Sequence, residues 1–356
     1  MFRNRSRFAA CCALLTAIAL ALAACGGGDD DGNAGGGAST TKSTEPATTT
    51  TAAPVIAPLT GMIDPTGESQ SRPVLTVKVE NTADALPQWG IDQADVIYEE
   101  IVEGNITRLA AMFNSHAPDK IGPIRSVRNT DQAIVWPVGG IFAYSGGAPI
   151  SVQSISAAPV NRIDENNAGD AMFRDSARKR PHNLYGIGAN LFAKGGQPVP
   201  PPALFAYRAV GAPITGVPTA SFVVGFKGRP SQAVTWTWNP TAGTYTRNLF
   251  GTDQVTGTGA PIASQNVVVQ FVQYAGGKAP GGAGYEGSEA ELVGTGRAVM
   301  FTGGQMVEGT WTRASKETPT QFLDAGGQPV QLAPGQTWVE LLQDGYALTT
   351  TPAPNV

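Results

Sequence analysis

The chain has 356 residues, a formal net charge of −4 and a pI near 5.3. Its 44 glycines and 27 prolines, beside only 15% charged residues, exclude helical bundles and coiled coils, because Gly and Pro are costly inside helices. The acidic balance, without a basic stripe, argues against nucleic acid as a partner, since nothing would neutralise a run of phosphates.

Arg3, Arg5 and Arg7 precede an apolar run from Phe8 to Ala24 that only Thr16 interrupts. Positive charge, then a short apolar run, then small residues predicts a secretory signal peptide over 1–24 rather than a permanent span. The run closes on Leu22-Ala23-Ala24-Cys25-Gly26, the pattern of a bacterial lipobox. Cleavage there leaves Cys25 at the mature N-terminus with its thiol free to carry lipid, on the extracytoplasmic face of the membrane. It also removes Cys11 and Cys12, so the exported part has no disulfide, no Cys nucleophile and no Cys metal ligand. Residues 25–58 are Gly-, Asp-, Ser- and Thr-rich and cannot bury apolar surface, which predicts a disordered linker with a reach of about 30 Å. Asp29, Asp30 and Asp31 within it read as a solvated charge run.

Patterned sequence starts at Pro73. Residues 74–79, 95–102 and 106–113 alternate and are rich in β-branched residues, predicting three strands, the last two joined by a turn at Glu103-Gly104-Asn105. A fourth strand is predicted at 140–144, and helices at 130–136, 149–156 and 183–193. This mixture predicts an α/β or α+β domain over 59–205. After a Pro-rich stretch and a linker at 206–218, short alternating runs at 221–226, 233–238, 244–247, 266–274, 297–301, 309–312 and 338–342 predict a smaller β-rich domain over 219–345, with a tail to 356.

The run PQWGIDQADVIYEEIVEGNITRLAAMF at 87–113, with IGPIRSVRNTD at 121–131 and RPHNLY at 180–185, resembles the YerB-like lipoproteins of the DUF3048 class, exported proteins of Gram-positive bacteria. The later segments NVVVQFV, GTGRAVMF, GQMVEGTWTR and LAPGQTWVELL resemble that family's separate C-terminal domain. The resemblance implies a lipid anchor, a two-domain division and no settled reaction. It also implies an acidic residue beside Asn81, a place that Glu80 fills.

Polar side chains concentrate in the first domain. Three readings follow. Buried arginines can pair with Glu99 and Asp95 to hold a sheet to its loops. Alternatively, Arg108, Arg125 and Arg128, with Ser126, backbone N–H groups after Gly122 and Asn183, can hold a carboxylate or phosphate. In the third reading Glu103 is a general acid for cleaving a glycan strand, with Glu99 or Asp95 as its partner. His182 suits a general base, or a capping segment with Asn183 as the helix N-cap. His116 falls in an exposed loop. A Ser126–His182–Asp triad lacks a G-x-S-x-G elbow, and no H-E-x-x-H or P-loop occurs, so no metal and no cofactor is expected. Trp236, Trp238, Trp311 and Trp338 can form a sugar-stacking platform or simply fill a core.

These features predict an anchored cell-envelope protein that binds peptidoglycan, an anionic wall polymer or a wall-synthesis protein through the Arg/Glu/His cleft. The alternatives are a peptidoglycan-cleaving enzyme with Glu103 as acid, and an envelope scaffold whose interface is the β-rich domain.

Overall fold

The first alternating runs are strands in the computed structural model, which describes residues 53–196, 199–226, 233–278 and 286–354. By its contacts the chain separates into units 1–51 and 52–356, and the described residues belong to the second. The expected signal peptide, Cys25 and the linker up to residue 52 lie outside the described residues.

Strand β1 (Leu75–Glu80) pairs antiparallel with β3 (Thr107–Phe113), which forms a hairpin with β2 (Val96–Ile101). Helix α1 (Asn129–Val135) leads to β4 (Gly140–Ala143), which lies parallel to β1. Helix α2 (Pro149–Ile155) leads to β5 (Val160–Ile163), parallel to β4. A small ribbon of β6 (Met172–Arg174) and β7 (Leu184–Gly186) precedes helix α3 (Gly188–Phe192).

Short β8 (Ala206–Tyr207) opens the second half. It is followed by β9 (Val217–Gly225), β10 (Val234–Asn239), β11 (Thr244–Leu249), β12 (Thr252–Asp253) and β13 (Ala263–Ser264). Then come β14 (Asn266–Val272), β15 (Tyr274–Lys278), β16 (Glu286–Ala290), β17 (Gly294–Thr302) and β18 (Gln305–Arg313). The last are β19 (Gln321–Asp324), β20 (Gln331–Leu332), β21 (Thr337–Gln343) and β22 (Ala347–Pro352). Strand β21 lies parallel to β14 on one side and to β2 on the other, so hydrogen bonding runs continuously in the order β12-β11-β10-β9-β18-β17-β14-β21-β2-β3-β1-β4-β5.

Only two residue pairs join β9 to β18, and there the sheet turns back on itself. The β9–β11 meander folds over the inner face of β17, β21 and β2. Phe222 of β9 stacks on Phe301 of β17 at 3.5 Å and 8°. Trp236 of β10 meets Trp338 of β21 edge-on at 5.3 Å. The core therefore lies between two layers of strands, joined through Val77, Val79, Leu109, Ala111 and Val269.

The expected α+β or α/β class with an N-terminal α/β domain is overturned: strand far outweighs helix among the described residues, in one large mixed sheet, and the three helices have seven, seven and five residues. Helices of one to two turns, about 10 Å at most, cannot cover a strand's length. Every residue of β1, β2 and β3 is nevertheless buried. Strands buried on both faces suggest a helix-flanked sheet, but here other strands and loops cover much of them. The helix expected at 183–193 shrinks to α3 because Leu184–Gly186 pairs with β6 instead.

Trp89 carries one close contact between the two halves. Its backbone exchanges hydrogen bonds with Gly122 at 2.8 and 3.1 Å, and the Gly257 amide donates to Gln88 O at 2.8 Å. A Cβ at Gly257 would lie 1.9 Å from ring atom Cε2 of Trp89. Gly257→Ala is expected to destabilise the protein by about 1–3 kcal/mol through this overpacking. Thermal unfolding reads this as a lowered Tm; an unchanged Tm means the ring is not seated against that glycine.

Candidate functional site

Glu99 and Glu100 are neighbours on β2, so alternation sends them to opposite faces of the sheet. On one face, Lys78 Nζ donates to Glu100 and, at 2.8 Å, to Asp131 Oδ1, with all three side chains fully buried. Asp131 Oδ2 accepts the Arg128 amide at 2.7 Å and so caps α1. On the other face, Glu99 accepts Arg247 Nη2 at 2.6 Å and Asn81 Nδ2 at 2.9 Å. The Arg247 guanidinium lies 4.7 Å from the Trp338 ring centroid. Glu340 of β21 sits opposite Glu99 in register and accepts Trp236 Nε1 at 2.9 Å. Gln254 accepts from Arg247 and donates to Gln88 at 2.6 Å, and Gln88 donates to Asn81 at 3.0 Å.

Each cation thus faces two carboxyls. Burial, aided by Asp131, outweighs the pull of Lys78 and raises Glu100 to about 7. Burial and the adjacent Glu99 charge raise Glu340 well above the usual carboxylate range, against Arg247.

A second cluster lies where β1 and the β2–β3 hairpin end. Glu80, 1% exposed, sits opposite Arg108 in register. His182 Nδ1 is 2.9 Å from both Glu80 oxygens, Arg125 Nε is 3.4 Å away, and Thr82 Oγ1 donates to Glu80 at 2.8 Å. Alongside, Glu103 takes Arg128 Nε at 2.6 Å and a second bond from Nη2, with Arg108 at 3.5 Å. Arg108 and Arg128 both donate to Ser126 O, at 2.8 and 3.3 Å. Ser126 Oγ and Ser145 Oγ are 3.4 Å apart.

Of the predicted residues, the structure therefore brings Glu103, Arg108, Arg125, Ser126, Arg128 and His182 together at one end of the sheet. Arg108 and Arg128 are spent on Glu103 and backbone carbonyls and are buried. Arg125, 20% exposed, and His182, 23% exposed, are the basic side chains of this group that reach solvent. Partial burial would raise Glu103, but the bonds and charge of Arg128, with Arg108, hold it at about 2. It is ionised at neutral pH and has no proton to donate there. Glu99 is sealed against Arg247. Asp95 is at the far end of β2, accepting the amides of Asn114 and Ser115 at 2.5 and 2.8 Å. Neither forms a pair with Glu103. Asn183 caps no helix; it accepts from Arg174 at 2.7 Å and donates to the 175–178 loop. Trp236, Trp311 and Trp338 are buried, so the four tryptophans form no exposed platform.

Sequence reading missed the central role of Glu80, as well as Lys78 and Arg247. Lys78 was detectable as a charge inside an apolar strand; Arg247 carries no such signal. His182 lies between two carboxylates, with Nδ1 against buried Glu80 and Nε2 3.9 Å from exposed Asp84. Arg125 beside it has donors for an anion. Among the described residues no group of three or more His, Cys, Asp or Glu is placed to hold a metal ion.

The family described as "Protein of unknown function (DUF3048) N-terminal domain" matches residues 59–197, and "Protein of unknown function (DUF3048) C-terminal domain" matches 222–339. The chain is 28% identical over 304 residues to "Putative lipoprotein YerB" of Bacillus subtilis (strain 168), across 81% of this chain and 86% of that protein. It matches the crystal structure of the YerB protein from Bacillus subtilis with a TM-score of 0.73 at 22% identity, covering 83% of this chain and 99% of that one. That likeness speaks to the fold.

Two outcomes follow from the buried clusters. Arg247→Met leaves Glu99 and Glu340 facing each other without their cation and is expected to cost about 3–5 kcal/mol in denaturant unfolding; a loss below 1 kcal/mol would contradict the pairing. Raised carboxyls bind protons in the folded state that the unfolded chain has already released. The Glu100 contribution is fully present below its unfolded value of 4.5 and is lost as pH rises through about 7. Unfolding free energy measured from pH 5 to 8 should therefore fall, and should fall less steeply in Glu100→Gln.

Proposed function

The chain belongs to the DUF3048 family, and on that premise we propose that it is a lipid-anchored cell-envelope protein whose Arg125–Ser126–His182 surface binds an anionic group of the wall. The anchor reading is supported by the lipobox pattern ending in Cys25 and by the name of its Bacillus relative. Among the described residues no helix is long and apolar enough to cross a membrane.

The observation that carries the binding reading is the sharing of one buried carboxylate, Glu80, by two partly exposed cationic or proton-carrying side chains, Arg125 and His182. Glu80 orients both without reaching solvent itself. A carboxylate or phosphate arriving from outside meets the remaining guanidinium donors of Arg125, with the Ser126 and Ser145 hydroxyls nearby. Peptide-stem carboxylates and teichoic-type phosphates share this chemistry. The ionised state of Glu103 favours binding over cleavage, because a general acid must hold its proton at the working pH.

The test incubates purified protein with insoluble wall, either intact or stripped of teichoic polymer. The wild type should pellet and Arg125→Ala should stay in the supernatant, with loss on stripped wall assigning the phosphate. The same supernatants report muropeptides: release that stops in Glu103→Gln would replace binding by cleavage. Wild-type protein that neither pellets nor releases fragments would sink both.

A further inference from the structure

The amine of Lys78 is sealed from water together with two carboxyls. Its side chain on β1 is fully buried, and so are those of Glu100 on β2 and Asp131 on α1. Lys78 Nζ donates to Glu100 Oε1 and, at 2.8 Å, to Asp131 Oδ1. Ala110 of β3 pairs with Lys78 in register and is itself fully buried. Its small methyl lets the lysine lie across β3 to reach these partners.

In water an amine and a carboxylic acid stay ionised, because both charged forms are well solvated, and they do not condense. Burial removes that solvation and favours the neutral amine and the neutral acid. Contact within a fold also replaces the encounter of free reactants, at effective molarities of about 10⁵–10⁸ M for well-oriented groups. One cation against two carboxyls leaves room for a proton: burial, aided by Asp131, raises Glu100 to about 7. Asp131 is oriented as well. Its Oδ2 accepts the Arg128 amide at 2.7 Å, which polarises the carboxyl, while Oδ1 faces the amine.

We propose that Lys78 and Asp131 condense into an intramolecular amide, with Glu100 as the acid–base partner. The Lys78 ammonium first passes a proton to Asp131 Oδ1. The freed lone pair on Nζ then attacks Asp131 Cγ, and Oδ2 keeps its bond to the Arg128 amide. Glu100 gives its proton to the Oδ1 hydroxyl, which departs as water, and takes up the proton that Nζ sheds. One N–C bond forms, one C–O bond breaks, one water leaves, and nothing is oxidised or reduced. The ion-paired triad is the reactant, and the product keeps the same three side chains together. The new bond links positions 53 apart and ties β1 to α1 across the β2–β3 hairpin.

The test is a tryptic map of the purified, denatured full chain by mass spectrometry. In the wild type, cleavage after Lys78 should be lost. The peptide that carries Lys78 should be joined to the one that carries Asp131, one water lighter than their sum. Glu100→Gln keeps the side chain's size without its acid, and should restore the free lysine and the cut at unchanged circular dichroism. The proposal is overturned if wild-type Lys78 is free, or if it is joined to Glu100 in place of Asp131. Cross-linking in Glu100→Gln as complete as in the wild type overturns the role of Glu100. The wild-type map decides the bond itself, whether or not the variant folds.

Discussion

Two consecutive glutamates in the middle of the fold impose the main constraint. A strand must send Glu99 and Glu100 to opposite faces, and here both faces are dry. Each acid therefore needs a cation brought from elsewhere: Lys78 from β1 for one, Arg247 from β11 for the other. Removing either cation strands a charge, so the two contacts dictate which strands lie above and below β2. The excess of one carboxyl on each side is met by proton uptake rather than by a further cation. Such pairs are weak evidence for stability as such. Their effect is to reject arrangements that leave Glu99 or Glu100 alone.

The exposed cluster is a downstream result. Asp131 binds Lys78 inside and caps α1 outside, which fixes the backbone of Arg128. Arg128 then fixes Glu103, and with Arg108 it pins the carbonyl of Ser126. By the time the chain reaches solvent, Arg125 and His182 have little freedom left, because both lean on Glu80 at the end of a buried strand. A surface built this way is pre-organised, so a ligand would lose little to ordering it.

Part of this was legible in the residues. The β2–β3 hairpin followed from alternation around Glu103-Gly104-Asn105, whereas the density of Arg108, Arg125, Arg128 and His182 marked a polar region without saying which of them meet. The class was misread because Val77, Val79, Leu109 and Ala111 announce burial without saying what buries them. The covering residues, Phe222, Trp236 and Arg247, come from a meander more than a hundred positions later. The 183–193 segment was misread for a related reason: pairing of Leu184–Gly186 with Met172–Arg174 overrode local helix preference. Glu99 was indistinguishable from Glu103 by type and spacing, since only its distant partner marks it as interior.

The parallel seating of β21 beside β2 has a cost in time. Gln336, at the start of β21, bonds the carbonyls of Ile91 and Ala94, 245 and 242 positions earlier. Strand β2 therefore keeps one edge open, with its unpaired amides and carbonyls, until a strand from far later in the sequence has joined it. Closure over so long a loop is slow, and a partly folded molecule offers its neighbours an open template in the meantime.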